Sequence, residues 1–189
     1  MAAKPGERKQ QILETLAKML EAPKHEKITT AALAARLDVS EAALYRHFYG
    51  KAAMFAGLIE FIEQSLFGLI NKISTEEQDG LAQVHRIITV LLMFAEKNPG
   101  MTRVLIGDAL VNEDESLQLR INQLYDRIES TLKQSLRIAE TQIGRQLEPE
   151  AKANLLICFV IGRWQQFAKS GFKRKPMEFL QVQLTTLND

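Results

Sequence analysis

Residues 28–51, ITTAALAARLDVSEAALYRHFYGK, decide how this chain folds. Thr29 is suited to cap a helix, because its hydroxyl accepts from an N–H that a helix start leaves unpaired. Leu33 and Leu37 stand four apart and form one buried edge. Asp38-Val39 makes a tight connection with Val39 in its corner, and Ser40 caps the next helix. Glu41 falls in that helix's first turn, where the dipole favours a negative charge. Position 43 is Ala, so no capping box forms. Leu44 and Phe48, again four apart, bury this third helix, which is expected to end near Phe48 to Gly50. Two short helices joined this tightly fit the crossed pair whose second member enters a DNA major groove.

With Leu44 and Phe48 inward, the opposite face offers Glu41, Ala42, Tyr45, Arg46 and His47. Ala42 permits close approach and contact with a thymine methyl. Tyr45 and His47 can donate to phosphates, and Arg46 has the reach for either a base edge or a phosphate. Thr30 and Lys51 sit where two helices begin, positions that attract phosphate oxygens. The expected DNA-contacting set is therefore Thr29, Thr30, Ser40, Glu41, Ala42, Tyr45, Arg46, His47 and Lys51.

Outward from this stretch, apolar residues recur at three and four with no clean two-residue alternation, so the chain reads as all-α. Ile12, Leu13, Leu16, Met19 and Leu20 give a first helix closed by Ala22-Pro23. A fourth helix over residues 51–74 carries Phe55, Leu58, Ile59, Ile62, Leu66, Leu69 and Ile73. A fifth over 81–97 stops at Asn98-Pro99-Gly100, and a short sixth covers 102–111. A seventh over 113–142 repeats Leu117, Ile121, Leu124, Ile128, Leu132 and Leu136. An eighth covers 148–170, and residues 171–176 separate it from the last. Residues 1–50 are expected to form a three-helix DNA-binding unit and residues 51–189 a six-helix body for dimerisation and partner binding.

Composition sets bounds. In 189 residues, 46 % are hydrophobic and 25 % charged, enough to bury a real core. The net charge of +1 excludes a polycation, yet residues 1–51 hold nine Lys/Arg against six acids, a local excess of three. The single cysteine, Cys158, lies within the apolar run 155–161 and is expected to be buried and inert. The polar N-terminus has no signal-peptide pattern. The apolar runs 90–95 and 155–161 fall short of the roughly 20 residues a membrane span needs. A cytoplasmic, nucleoid-associated protein is expected. His25, His47 and His85 are scattered, and no phosphate loop, GxSxG or HExxH occurs, so neither metal, cofactor nor catalysis is expected.

The run 155–161 is apolar on every side of a helix and must be covered all round. One solution buries one face in its own subunit and another against a symmetry mate. Leu155, Phe159, Gly162, Trp164 and Phe167 are accordingly assigned to a homodimer interface; burial wholly within one subunit is the competing reading. Arg120, Asp126, Arg127 and Glu129 are read as a solvated face of the seventh helix. On the fourth helix the core stripe passes through Leu58, Ile62, Leu66 and Leu69, with Phe61 at its edge and small Ser65 and Gly68 following. The fifth helix buries Val84, Ile87, Ile88, Leu91 and Leu92 and has a second apolar facet, Val90 and Met93, leading to Lys97 and Asn98. Phe61, Ser65, Val90, Met93, Lys97 and Asn98 are compatible with a groove for a short apolar peptide with acidic neighbours. Ordinary interhelix packing is the alternative.

The run VSEAALYRHF followed by Lys51 resembles the recognition-helix signature of the TetR family. That resemblance implies an N-terminal three-helix DNA-binding unit, a larger helical body and dimerisation. The segments MFAGLIEFIEQSL, EKNPGMTRVLIGDAL and LQLRINQLYDRIESTLKQSLR extend it to the nucleoid occlusion factors within that family. This implies binding to palindromic double-stranded DNA across the chromosome. It also implies engagement of the C-terminal tail of the division GTPase FtsZ, in the groove around Phe61, and disruption of FtsZ polymers over the nucleoid. Where that pattern has an arginine, this chain has Leu69, so no salt link is expected there. The second reading is a ligand-responsive repressor. It ranks lower because the facing helices are densely aliphatic, with only His85, Arg163 and Trp164 to orient a ligand.

Overall fold

The computed structural model describes residues 5–22 and 28–188, and every regular element among them is a helix. In order these are α1 (Pro5–Met19), α2 (Thr30–Arg36), α3 (Glu41–Tyr45), α4 (Lys51–Glu76), α5 (Gly80–Lys97), α6 (Pro99–Leu105), α7 (Glu115–Ile143), α8 (Pro149–Lys169) and α9 (Leu180–Asn188). The expected stop of α1 at Ala22-Pro23 rests on Pro23, which lies outside the described residues.

The body packs around α4, α5 and α7. Leu58, Ile59, Ile62, Leu66 and Ile70 of α4 meet Ile87, Ile88, Leu91 and Leu92 of α5 and Ile121, Ile128 and Leu132 of α7, all sealed from solvent. Leu69 departs from the expected stripe and is 48 % exposed. With 3.6 residues per turn, the inward position one turn after Leu66 falls on Ile70 instead. α4 is long and apolar enough to cross a membrane by composition, but most of its large apolar residues are buried in this core.

Asn98-Pro99-Gly100 ends α5 and at once begins α6, which finishes at Leu105 rather than near residue 111. Proline at the first position of a helix forfeits only an N–H that would be unpaired anyway. Gly100 brings α6 against α1: a Cβ there would stand 1.9 Å from the carbonyl oxygen of Ala17.

α7 is tied to α4 by two residues expected to be solvated. Arg120 donates from Nε and Nη2 to the Glu63 carboxylate at 3.0 and 2.6 Å and from Nη1 to the carbonyl of Ala56 at 3.2 Å. This pairing raises the Arg120 pKa above its ordinary value, partly offset by burial. The Arg127 guanidinium lies 3.6 Å from the centroid of Phe67, a stacked cation–π contact. Asp126 is exposed as expected, and Glu129 accepts from Asn154.

α8 divides its apolar run between two environments. Leu156, Ile157 and Val160 face the core. Trp164 is fully buried within the subunit, with Nε1 donating to the carbonyl of Leu91 at 3.1 Å, and Phe167 is also sealed. These two aromatics therefore cannot fill an interface between subunits. A large apolar ring gains most where its own core already encloses it. Leu155 and Gly162 stay exposed and Phe159 is half-buried. Cys158 is exposed on the same outer side, contrary to its expected burial, because 156, 157 and 160 take the inward positions.

Candidate nucleic-acid interface

The α2–α3 unit is built by local hydrogen bonds. Thr29 Oγ1 accepts from the Ala32 N–H at 3.1 Å, and Ser40 Oγ accepts from the Ala43 N–H at 3.2 Å, so both hydroxyls act as caps. Between them the chain reverses at Asp38, whose φ of 53° is left-handed. The Val39 N–H donates to the Ala34 carbonyl and the Asp38 N–H to that of Ala35. This is the paired arrangement that usually closes a helix on glycine; a short polar side chain tolerates it. Val39 packs into the core beside buried Leu33 and Ala34.

α3 is shorter than its periodicity suggests. It ends at Tyr45, with Arg46 as its C-cap and residues 46–50 as turn and bend. The N–H groups of both His47 and Phe48 converge on the Leu44 carbonyl, tightening the last turn, and Gly50 at φ 93° redirects the chain into α4. Leu44 is buried and Phe48 half-buried. Ala42, Tyr45 and Arg46 are left outward, Tyr45 being 47 % exposed. His47 turns partly inward, lining a hollow with Arg8, Ile12 and Leu37.

Two expected phosphate contacts have other partners. Thr30 Oγ1 donates to Glu41 Oε2 at 2.5 Å, so Glu41 locks the start of α2 onto the start of α3. The Lys51 ammonium pairs with Glu113 and lies 5.7 Å from the Phe55 centroid. Sequence spacing could not reveal a partner 62 positions away. Tyr49 was not foreseen as a surface group. Its side chain is 96 % exposed, directly after the residues expected to meet DNA. The only sequence hint was the break at Gly50, which leaves position 49 outside any helix.

The unit is seated on α4 through Phe48. A Cβ on Gly57 would stand 2.8 Å from Phe48 Cε1, so only glycine admits the ring at that depth. Lys9 Nζ lies 5.8 Å from the ring centroid.

Phe61, 38 % exposed, lines a cleft of about 300 Å³ with Leu13 of α1, Phe48, Gly57 and Met101. Of the other residues expected in a groove, none lines this cleft. Ser65 is half-buried one turn along α4, its hydroxyl donating to the Phe61 carbonyl at 2.7 Å. Val90 and Met93 are half-buried, Lys97 is exposed, and Asn98 donates to the Phe94 carbonyl at 2.8 Å at the α5–α6 junction. Phe61, Gly68 and Leu69 thus form an open strip on α4 rather than a closed groove.

Two family models match the chain. Residues 12–58 match "Bacterial regulatory proteins, tetR family", and residues 78–189 match the SlmA-like "Tetracyclin repressor-like, C-terminal domain". The nucleoid occlusion factor SlmA of Alteromonas mediterranea is 51 % identical over 179 residues, 94 % of this chain and 92 % of the relative. That of a Marinomonas species is 50 % identical over 99 % of this chain and 96 % of its own. Among solved structures, a TetR transcription regulator from Haloarcula marismortui superposes with a TM-score of 0.81 at 16 % identity, covering 97 % of each chain. The MbdR regulator from an Azoarcus species gives 0.79 at 14 % identity over 95 % of this chain and 96 % of that one. At these identities the structures show the fold.

Proposed function

The chain belongs to the TetR family, in the branch with a SlmA-like C-terminal domain, and from that premise we propose that it is a DNA-binding homodimer acting as a nucleoid occlusion factor. The observation that carries the reading is the outward set Ala42, Tyr45 and Arg46, held on a helix whose buried side is fixed by Leu44. A small residue flanked by a phenol and a guanidinium suits a major groove: close approach, a phosphate donor and a bidentate cation. Thr29 and Ser40 reinforce this by capping, and Glu41 by holding Thr30. Residues 1–50 act as the DNA-binding unit and residues 51–189 as the body.

The homodimer forms through the outer side of α8, where Leu155 and Gly162 are exposed and Phe159 is half-buried. The FtsZ tail engages the strip around Phe61 and Ser65, with Lys97 as the cation for an acidic segment. Such a protein works in the cytoplasm on the nucleoid and has no catalytic role.

The test is binding of a palindromic duplex recovered by genome-wide mapping of bound DNA. Tyr45→Ala is expected to weaken that binding at least tenfold while leaving the fold intact. Phe61→Ala is expected to abolish binding of an FtsZ tail peptide with DNA affinity retained. Unchanged duplex affinity in Tyr45→Ala overturns the DNA reading; unchanged peptide binding in Phe61→Ala overturns the tail site.

A further inference from the structure

Four cations fall within seven residues at the end of α8: Lys169, Lys173, Arg174 and Lys175, with no acid among them. Like charges this close repel, so their clustering costs stability unless something compensates. Lys169 is accounted for by its ion pair with Asp108. Lys173, Arg174 and Lys175 are exposed, and among the described residues none of the three has an acidic partner.

The backbone beneath them is tightly held. Arg163 donates to the carbonyls of Lys175, Pro176 and Glu178 at 2.7, 3.1 and 2.8 Å. Ser170 Oγ accepts from the N–H groups of Lys173 and Arg174 at 3.2 and 2.9 Å. The loop backbone is therefore held in place before any anion binds, which lowers the entropic cost of engaging one.

Its position ties it to the DNA-binding unit. Arg103 of α6 lies 5.2 Å from the Phe172 centroid, and α6 packs on α1 as well as α8. Asp108, the partner of Lys169, lines a cleft of about 590 Å³ that also includes Thr29 at the start of α2 and Lys51 at the start of α4. The cationic loop thus belongs to the end of the body that carries the DNA-binding unit.

We infer that Lys173, Arg174 and Lys175 form a second, sequence-independent contact with the phosphate backbone of duplex DNA, separate from the contact made by α3. This rests on the DNA-binding reading above and adds a surface outside the helix-turn-helix. Its signature is electrostatic: each phosphate contact adds about 0.9 to the slope of log affinity against log salt.

The test compares the full chain with Lys173→Gln/Arg174→Gln/Lys175→Gln by fluorescence anisotropy on two duplexes. One carries the bound palindrome and the other a scrambled sequence of the same length. On both duplexes the variant is expected to lose affinity, with a salt slope shallower by up to about 2.7 per protomer. Its ratio of palindrome to scrambled affinity is expected to stay unchanged. Replacing Lys173 and Lys175 by Arg should retain the parent slope. A parent-like slope and affinity in the triple variant, with melting temperature unchanged, overturns the inference while the Tyr45→Ala result stands. The same is true if the variant instead loses binding of a poly-glutamate peptide alone. If the parent shows no preference for any duplex, the DNA reading itself has failed.

Discussion

Gly100 lies so close to Ala17 that a Cβ would overlap the Ala17 carbonyl oxygen, at 1.9 Å. The obstacle is backbone, with no flexible end to swing aside, so α6 approaches α1 only because residue 100 has no side chain. Gly100→Ala is expected to cost about 1–3 kcal/mol through overpacking. Thermal denaturation should show the melting point lowered by about 2–4 °C for each kcal/mol. A parent-like melting point would show that the two helices separate without penalty.

Glu113 pairs with the Lys51 ammonium at the start of α4. Glu113→Gln keeps the side chain's shape but removes its charge, releasing Lys51. The variant should bind non-specific duplex more tightly, with a salt slope steeper by about 0.9 per protomer. A slope equal to the parent's would mean that Lys51 is already engaged with DNA in the native complex.

Tyr125 is mostly enclosed, its hydroxyl donating to the Leu105 carbonyl, and burial pushes its pKa well above the ordinary phenol value. The sign follows from linkage. An acid whose folded pKa is raised holds its proton in the native state, so its stabilisation is full below the unfolded value of about 10 and declines as pH rises above it. Denaturant titrations should show stability falling between about pH 10 and the point where other groups unfold the chain. Tyr125→Phe should lose about 1 kcal/mol at neutral pH and show a flatter alkaline decline. An equally steep decline in the variant would assign the alkaline transition to another group.

Gly162 is exposed on α8 with nothing within 4 Å of the position a Cβ would occupy. Within one subunit, Gly162→Ala removes a poor helix former and should stabilise by up to about 1 kcal/mol. At a helix-to-helix contact between subunits, a larger side chain would hold the helices apart. Gly162→Leu is therefore expected to shift sedimentation from dimer towards monomer without loss of helicity. A fully dimeric Gly162→Leu would move the interface away from this face.

Local chemistry was the most legible part of the sequence. Thr29 and Ser40 cap as expected because a hydroxyl acts on an N–H three residues on, within reach of any reading along the chain. Leu44 and the α7 repeat were equally plain, since burial follows helical period. Long-range pairing was opaque. Nothing near Arg120 in sequence announces Glu63, and nothing near Lys51 announces Glu113. The α8 run misled for a related reason. Seven consecutive apolar residues have no polar side to reveal which face turns inward, so spacing does not show that Trp164 and Phe167 lie inside and Cys158 outside. On α4 the facet of Phe61, Ser65 and Gly68 is legible from spacing, whereas Leu69 drifts off the core stripe with the 3.6-residue period and joins that surface.

The single tryptophan, Trp164, donates its indole N–H to Leu91 and has no accessible surface. It is therefore a natural fluorophore sited in the seam between α5 and α8. Its emission should be blue-shifted in the native state and move to the red only when that seam opens. Titration with duplex at α3 should leave the spectrum unaltered, whereas loosening of the body should change it. The chain thus carries an intrinsic optical reporter that separates occupancy of its DNA-facing end from the integrity of its body, with no label attached.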